Sequence, residues 1–508
     1  MTNANVEKHR VIHAAPPTSA QNATSPFDGS SPESSNSATL ANFVIDPPGD
    51  YARELIRDCG LSTQSVEVRS AIPPALEWAR SGAMALTGES ERLPRFASGP
   101  LATAAAGAGR ALAALSPSAQ LDQLDAAALM GERAAIAGLE RAGRESPGGS
   151  ARLLETLDGT VAINLPRPDD WSLLPAWLRS GMAPQASDEQ NAWDRLTRLV
   201  ARQSLSDLVD QGRLLGLAVT AAPRVPIQNR NWFRLSHASE TSPHHTEKPI
   251  RLLDLTSLWA GPLATSLLSM AGIEVLKIES PERPDGARNG PQRFFDLMNA
   301  NKRGCALDLH AASDRRLFEL LLESTDIVFE NARPRALEQL GYDAGSWVSA
   351  RAGRIWVSIT GYGRQAPNRD WIAYGDDAAI AAGLAWSTNA TSNPKTNTAN
   401  DSSSPCFCAD AIADPITGLH AAVATLAHLQ NGRGGVLDLS LVDTVSWAAT
   451  FSAGELDAPI ERASDGDYVT VGNHREKIEP PRARDVRATA PRLAMPKASL
   501  IADWTGSC

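Results

Sequence analysis

Cysteine is scarce in this sequence. The five residues Cys59, Cys305, Cys406, Cys408 and Cys508 are too few and too scattered to form a disulfide framework. Aromatic residues are sparse as well, at 5%. An excess of positive charge is missing: the formal net charge is −10, which argues against nucleic acid or an anionic membrane surface as the main partner. No stretch reaches the ~18 uninterrupted apolar residues of a membrane span, and MTNANVEKHR has no apolar leader core. These absences exclude membrane, knotted secreted, fibrous and basic nucleic-acid classes, and they predict a soluble cytoplasmic protein. What is present is 43% hydrophobic residues over 508 positions, enough for a buried core and about two to four domains.

Composition shifts divide the chain. Residues 1–40 are rich in Ser, Asn, Thr and Pro and cannot offset their ordering entropy, so disorder is expected. Residues 41–150 are Ala-rich, with apolar residues at helical spacing. Residues 151–225 predict a small α+β unit that opens with a hairpin around Asp158-Gly159. A polar linker over 226–248 follows. Its His244 and His245 lack partners at ligand spacing, so no metal is expected there. From 249 to 455 strands and helices alternate, beginning with the unit IRLLDL, GPLATSLLSMAG, IEVLKIES. That alternation predicts an α/β fold with a doubly wound parallel sheet of Rossmann type, interrupted by a polar loop at 388–404. Residues 456–508 read as a polar C-terminal tail.

Local motifs constrain the chemistry. The first βα turn reads LWAGP, so G-x-G-x-x-G is absent and a nicotinamide cofactor is disfavoured despite Glu279 at the second strand end. The segment CFCADAIADPITGLHAAVATLAHL (406–428) holds the leading candidate. Pro415 suits a first helical position, which would make Asp414 the N-cap, held ionised by the helix end. Such a carboxylate either merely caps the helix or attacks a thioester or ester. Cys406, Cys408, Asp410 and His420 lack the spacing of a metal site. Arg283, Arg288, Lys302, Arg303, Arg333 and Arg335 gather near loops that follow strands, as solvated surface or as phosphate ligands.

Together these segments resemble the family III CoA-transferases (CaiB/BaiF type), a group that includes formyl-CoA and carnitine-CoA transferases and α-methylacyl-CoA racemase. The resemblance runs from about Ile250 to Asp443. It is carried by LLDLTSLWAGPLATSLLSMAGIEVLKIES, LMNANKRGCALDL, DIVFENARPRALEQLGYD, IWVSITGYGR and DAIADPITGLHAAVATLAHLQNGRGGVLDLSLVD. It implies that Asp414 attacks an acyl-CoA thioester and passes CoA to a carboxylic acid through an aspartyl-CoA intermediate. It implies CoA contacts at Trp259, Ala260, Asn299, Asn301, Lys302, Asn331, Arg333, Tyr374 and Gly375. CoA is then a substrate, with no metal or resident cofactor required, and Gly383 or Gly418 would offer N–H groups to an oxyanion. The resemblance also implies a homodimer, unless one rearranged chain fills both roles.

The sequence departs from that family in two ways. Gly375-Asp376-Asp377 stands where the racemases carry G-H-D, which disfavours a two-base racemase and leaves Asp377 a structural role. Trp259 also replaces an active-site amide. The family's small domain resembles residues 152–225, upstream of its usual place. Residues 78–115, with Gly99 before Pro100, look like a worn copy of the aspartate segment, so a permuted or partly duplicated chain is expected. An acyl-CoA isomerase using Asp376 or Asp410 as base, and a CoA-binding pseudoenzyme, stay open as alternatives.

Overall fold

The computed structural model describes residues 46–70, 72–179, 189–228, 231–239, 249–386, 404–493 and 497–506. The tail 1–40, His244, His245, Cys508 and most of the loop 388–404 lie outside them.

Asp158-Gly159 joins the hairpin strands β1 (Ala151–Glu155) and β2 (Thr160–Asn164), and β3 (Ala218–Ala221) extends the antiparallel sheet. Helices Pro168–Leu178, Glu189–Val200 and Leu205–Leu215 cover it, and Trp171, Trp177 and Trp193 fill a core of its own.

A larger sheet follows, made of β4 (Arg234–Ser236), β5 (Arg251–Leu255), β6 (Glu274–Glu279), β7 (Arg303–Ala306), β8 (Ile327–Glu330), β9 (Ile355–Thr360) and β10 (Gly435–Ser440). Its spatial order is β4-β10-β9-β8-β5-β6-β7. Every pairing is parallel except that of β4, which lies antiparallel on β10. Without the edge strand β4, the chain order across the sheet is third, second, first, fourth, fifth, sixth. That is the doubly wound Rossmann order, and the winding reverses between β5 and β8. Leu252, Phe329 and Val357 face one core, while Leu253, Val328 and Trp356 face the other. Burial on both faces explains why apolar residues stand side by side in these strands instead of alternating with polar ones.

Six helices matter for the site: α1 (Pro47–Asp58), α2 (Leu101–Leu115), α3 (Ala260–Met270), α4 (Gly375–Ala381), α5 (Ala413–Gln430) and α6 (Leu441–Ala449). Helix α5 is buried almost throughout its length and packs on α2, α3 and α6. Alanine and glycine make this possible, because their small side chains let helix backbones approach closely. The Ala-rich N-terminal helices therefore share one hydrophobic core with α5 and the sheet.

After 455 the chain is more ordered than its polarity predicts. Strands β11 (Ile460–Ala463), β12 (Gly466–Val471) and β13 (His474–Lys477) form an antiparallel sheet. Most of their side chains are partly exposed, so the apolar alternation that marks a strand is faint. Helix Lys497–Thr505 then sets Leu500, Ile501 and Trp504 into the second core of the large sheet. Among the described residues, no helix is long and apolar enough to cross a membrane.

Candidate active site

A cavity of about 240 Å³ opens where the winding of the large sheet reverses. Its wall comes from residues at or just past strand ends: Ser257 and Leu258 after β5, Asn331 to Arg333 after β8, Thr360 at the end of β9 with Gly361 after it, and Leu441 after β10. Ala260, Tyr374 and Asp414 also line it, as do Arg167, paired with Asp170 at 2.5 Å, and Arg369, paired with Glu338 at 2.6 Å. Crevices at this point are where doubly wound sheets bind ligands.

Asp414 is half-buried and is the second residue of α5. It is not the N-cap: Ile412 occupies that position with no side-chain cap, and Pro415 falls third. The expected cap was displaced because Ala411 turns left-handed, at φ 44°, and the chain enters the helix two residues early. The Asp414 N–H then donates to the Ala411 carbonyl at 2.9 Å. The Gly375 N–H donates to the Asp414 carboxylate. Only glycine fits there, since a Cβ on residue 375 would lie 2.5 Å from Asp414 Oδ2 and 2.3 Å from the Ala411 oxygen.

The helix end alone does not set the charge of Asp414. Burial pushes its carboxyl up to about 7; Arg133 and the Gly375 N–H oppose this, while Asp376 and Asp410 reinforce it. Asp376 is also lifted to about 7, by burial first and Asp410 second. Its Oδ1 accepts the Ala411 N–H at 2.8 Å. Asp377 accepts from Asn164 Nδ2 at 2.8 Å and from the Tyr374 N–H at 3.0 Å, tying α4 to β2.

The other predicted residues separate into three groups. Ala260, Asn331, Arg333 and Tyr374 line the cavity with Asp414, and Gly375 touches Asp414 from behind. Asn331 clamps two strand-end loops, accepting the Ser257 N–H at 3.0 Å and donating to the Ser257 carbonyl at 2.8 Å. Among the described residues the Arg333 guanidinium has no hydrogen bond or ion pair, and burial, then Arg167 and Arg335, lowers its pKa.

Trp259, Asn299 and Lys302 lie in the interior. The Trp259 ring meets Phe294 edge-on at 5.4 Å, and its indole N–H has no partner among the described residues. Lys302 Nζ donates to Asp254 at 2.9 Å, to Asn299 Oδ1 at 2.8 Å and to the Pro262 carbonyl at 3.0 Å, and its side chain has no exposed surface. Burial lowers its pKa to about 8. The ammonium that sequence reading assigned to CoA instead ties the start of α3 to β5. Asn301 is exposed and does not line the cavity.

Neither glycine suggested for an oxyanion has a free N–H. Gly383 donates to the Ile380 carbonyl at 2.9 Å, and Gly418 sits sixth in α5, where the helix uses its N–H. Ala260, first in α3, has no N–H partner within that helix and faces the cavity. Cys406, Cys408, Asp410 and His420 do not converge: Asp410 pairs with Arg133, and His420 is held by Tyr51 Oη and the Ile416 carbonyl, each at 2.7 Å. Among the described residues, no group of three or more His, Cys, Asp or Glu could hold a metal. Glu279 binds Arg288 at 2.6 Å, Arg303 lies 3.3 Å from Asp503, and Arg335 lies 3.5 Å from Asp370. Arg283 does not line the cavity. Sequence reading missed Arg133, Arg167 and Arg369, whose partners or cavity neighbours are distant in the chain and leave no local pattern.

Residues 248–484 match the family model described as CoA-transferase family III. An acyl-CoA transferase of Fusarium pseudograminearum is 31% identical over 216 residues, which cover 38% of this chain and 45% of that protein. A formyl-CoA:oxalate CoA-transferase of Escherichia coli O6:H1 is 30% identical over 207 residues, 39% of this chain and 47% of that protein. The crystal structure of a CaiB/BaiF family protein from Brucella suis aligns at 24% identity and a TM-score of 0.37, covering 45% of this chain and 66% of the other. The chain spans about half the length of the curated relatives it matches.

Proposed function

We propose that this chain, whose residues 248–484 match CoA-transferase family III, moves CoA from an acyl-CoA to a carboxylic acid with Asp414 as covalent nucleophile. The observation that carries this reading is the placement of Asp414 in the lining of a cavity walled by strand-end loops, together with Arg333, which is unpaired among the described residues. In the first step a carboxylate oxygen of Asp414 attacks the thioester carbonyl and CoA leaves as thiolate, forming a mixed anhydride. The thiolate next attacks the aspartyl carbonyl, releases the acyl group as its carboxylate, and forms an aspartyl-CoA thioester. The acceptor carboxylate attacks that thioester and expels the thiolate again. The thiolate then takes the acceptor's acyl group and frees Asp414. Arg333, Arg167 and Arg369 suit the phosphates of CoA as charge-assisted donors, and the Ala260 N–H suits a developing oxyanion.

The test is intact-protein mass spectrometry after incubation with a panel of acyl-CoAs. A covalent acyl or CoA adduct is expected on the native chain and none on Asp414→Ala. Bound CoA without any adduct would overturn the covalent mechanism. Exchange of α-hydrogen with deuterated solvent under those conditions would assign an isomerase.

A further inference from the structure

We propose that Arg133, which lies outside the family-matched residues 248–484, is a positioning residue for Asp414, locking the strained turn that aims this carboxylate into the cavity. The inference rests on the covalent role given to Asp414 above.

Arg133 Nε donates to Asp410 Oδ2 at 2.8 Å, and its Nη2 donates to Oδ1, so the guanidinium grips Asp410 with two parallel bonds. Asp410 has no solvent exposure. It is flanked by Ala409 and Ala411, both left-handed, at φ 54° and 44°. Alanine avoids that conformation, so the turn persists only where its surroundings hold it. Three contacts do so. Arg133 holds Asp410, Thr87 Oγ1 accepts the Ala409 N–H at 3.0 Å, and Asp376 Oδ1 accepts the Ala411 N–H at 2.8 Å. The Ala411 carbonyl in turn receives the Asp414 N–H. Arg133 is itself braced: it lies over the Trp259 ring at 5.8 Å, and the adjacent Glu132 is bound by Arg484 at 2.6 Å.

The electrostatics point the same way. Asp414 faces two further carboxylates, Asp376 on α4 and Asp410 on the turn, and Arg133 is the cation set against them. The cavity lining adds Arg167, Arg333, Arg369 and Tyr374. Of the helices packed on α5, α3 carries no ionisable side chain, Arg110 of α2 pairs with Asp46, and Asp443 of α6 pairs with Arg234. From α1, Tyr51 meets His420, further along α5.

The test compares Arg133→Gln and Arg133→Lys with the native full chain, after circular dichroism shows both folded. For CoA transfer, Arg133→Gln is expected to lower kcat about 100-fold and change KM for the acyl-CoA by no more than about threefold. Its ascending kcat–pH limb should move up by about one unit, with part of both effects recovered in Arg133→Lys. A second readout needs no turnover. Carbodiimide labelling of Asp414, located by mass spectrometry between about pH 5 and 9, should persist to higher pH in Arg133→Gln than in the native chain. Superimposable pH profiles and labelling curves would overturn the proposal. If the native chain forms no adduct, the covalent role falls, and the labelling curves alone decide whether Arg133 governs Asp414.

Discussion

Lys302 and Arg333 are both cations at strand ends of one sheet, yet their surroundings give them different roles. Lys302 and Asp254 form a fully enclosed pair, and removing one partner strands a buried charge. Lys302→Ala should therefore cost about 3–5 kcal/mol of stability in urea unfolding. Arg333 is half-exposed and unpaired among the described residues, so Arg333→Ala should leave the unfolding midpoint nearly unchanged while CoA affinity, read by calorimetry, falls about 10- to 100-fold. Asp414 adds a pH dependence. In the proposed mechanism only its carboxylate form attacks, and with its carboxyl at about 7 the rate should climb as pH rises through neutrality and level off above. Stability moves the opposite way. Asp376, Asp377 and Asp414 are all raised to about 7, so the fold holds protons that the unfolded chain releases near pH 4. Melting across that range should show stability falling as pH rises from about 4 to about 7.

At the scale of elements, the crossing of α3 and α5 sets the site. A Cβ on Gly418 would lie 2.7 Å from the Ala260 oxygen, so Gly418→Ala must push the two helices apart. About 1–3 kcal/mol of stability should be lost in denaturant titration. Adduct formation should fall with it, because Ala260 and Asp414 line the same cavity. The strands flanking this crossing were legible because parallel strands buried on both faces carry adjacent apolar residues, as Leu252-Leu253 in RLLDL and Ile355-Trp356-Val357 in IWVSIT. Strand β4 was not, since its three residues are all exposed and it owes its form to pairing with β10. The Asp414 cap was misread for a related reason. Its local signal, Asp before Pro, was overridden by a left-handed alanine that tertiary contacts hold.

For the whole molecule, sequence reading pointed to segments that line the cavity but not to what joins them. The Arg133–Asp410 pair spans 277 positions, and no local pattern encodes a bond over that distance. The N-terminal helices and the family-matched region also share one hydrophobic core. A fragment starting at residue 248 should expose the Ala-rich flank of α5 and show no cooperative unfolding by circular dichroism, whereas the full chain should melt in a cooperative transition. The packing of α2 on α5 also bears on how the protein is made. About 300 residues separate the two helices. At 5–20 residues per second, a ribosome takes roughly 15–60 s to supply the second after the first emerges. Through that interval α2 can pack on α1, but its face toward α5 has no mate on the nascent chain, so the yield of folded protein should depend on the chaperones that shelter it.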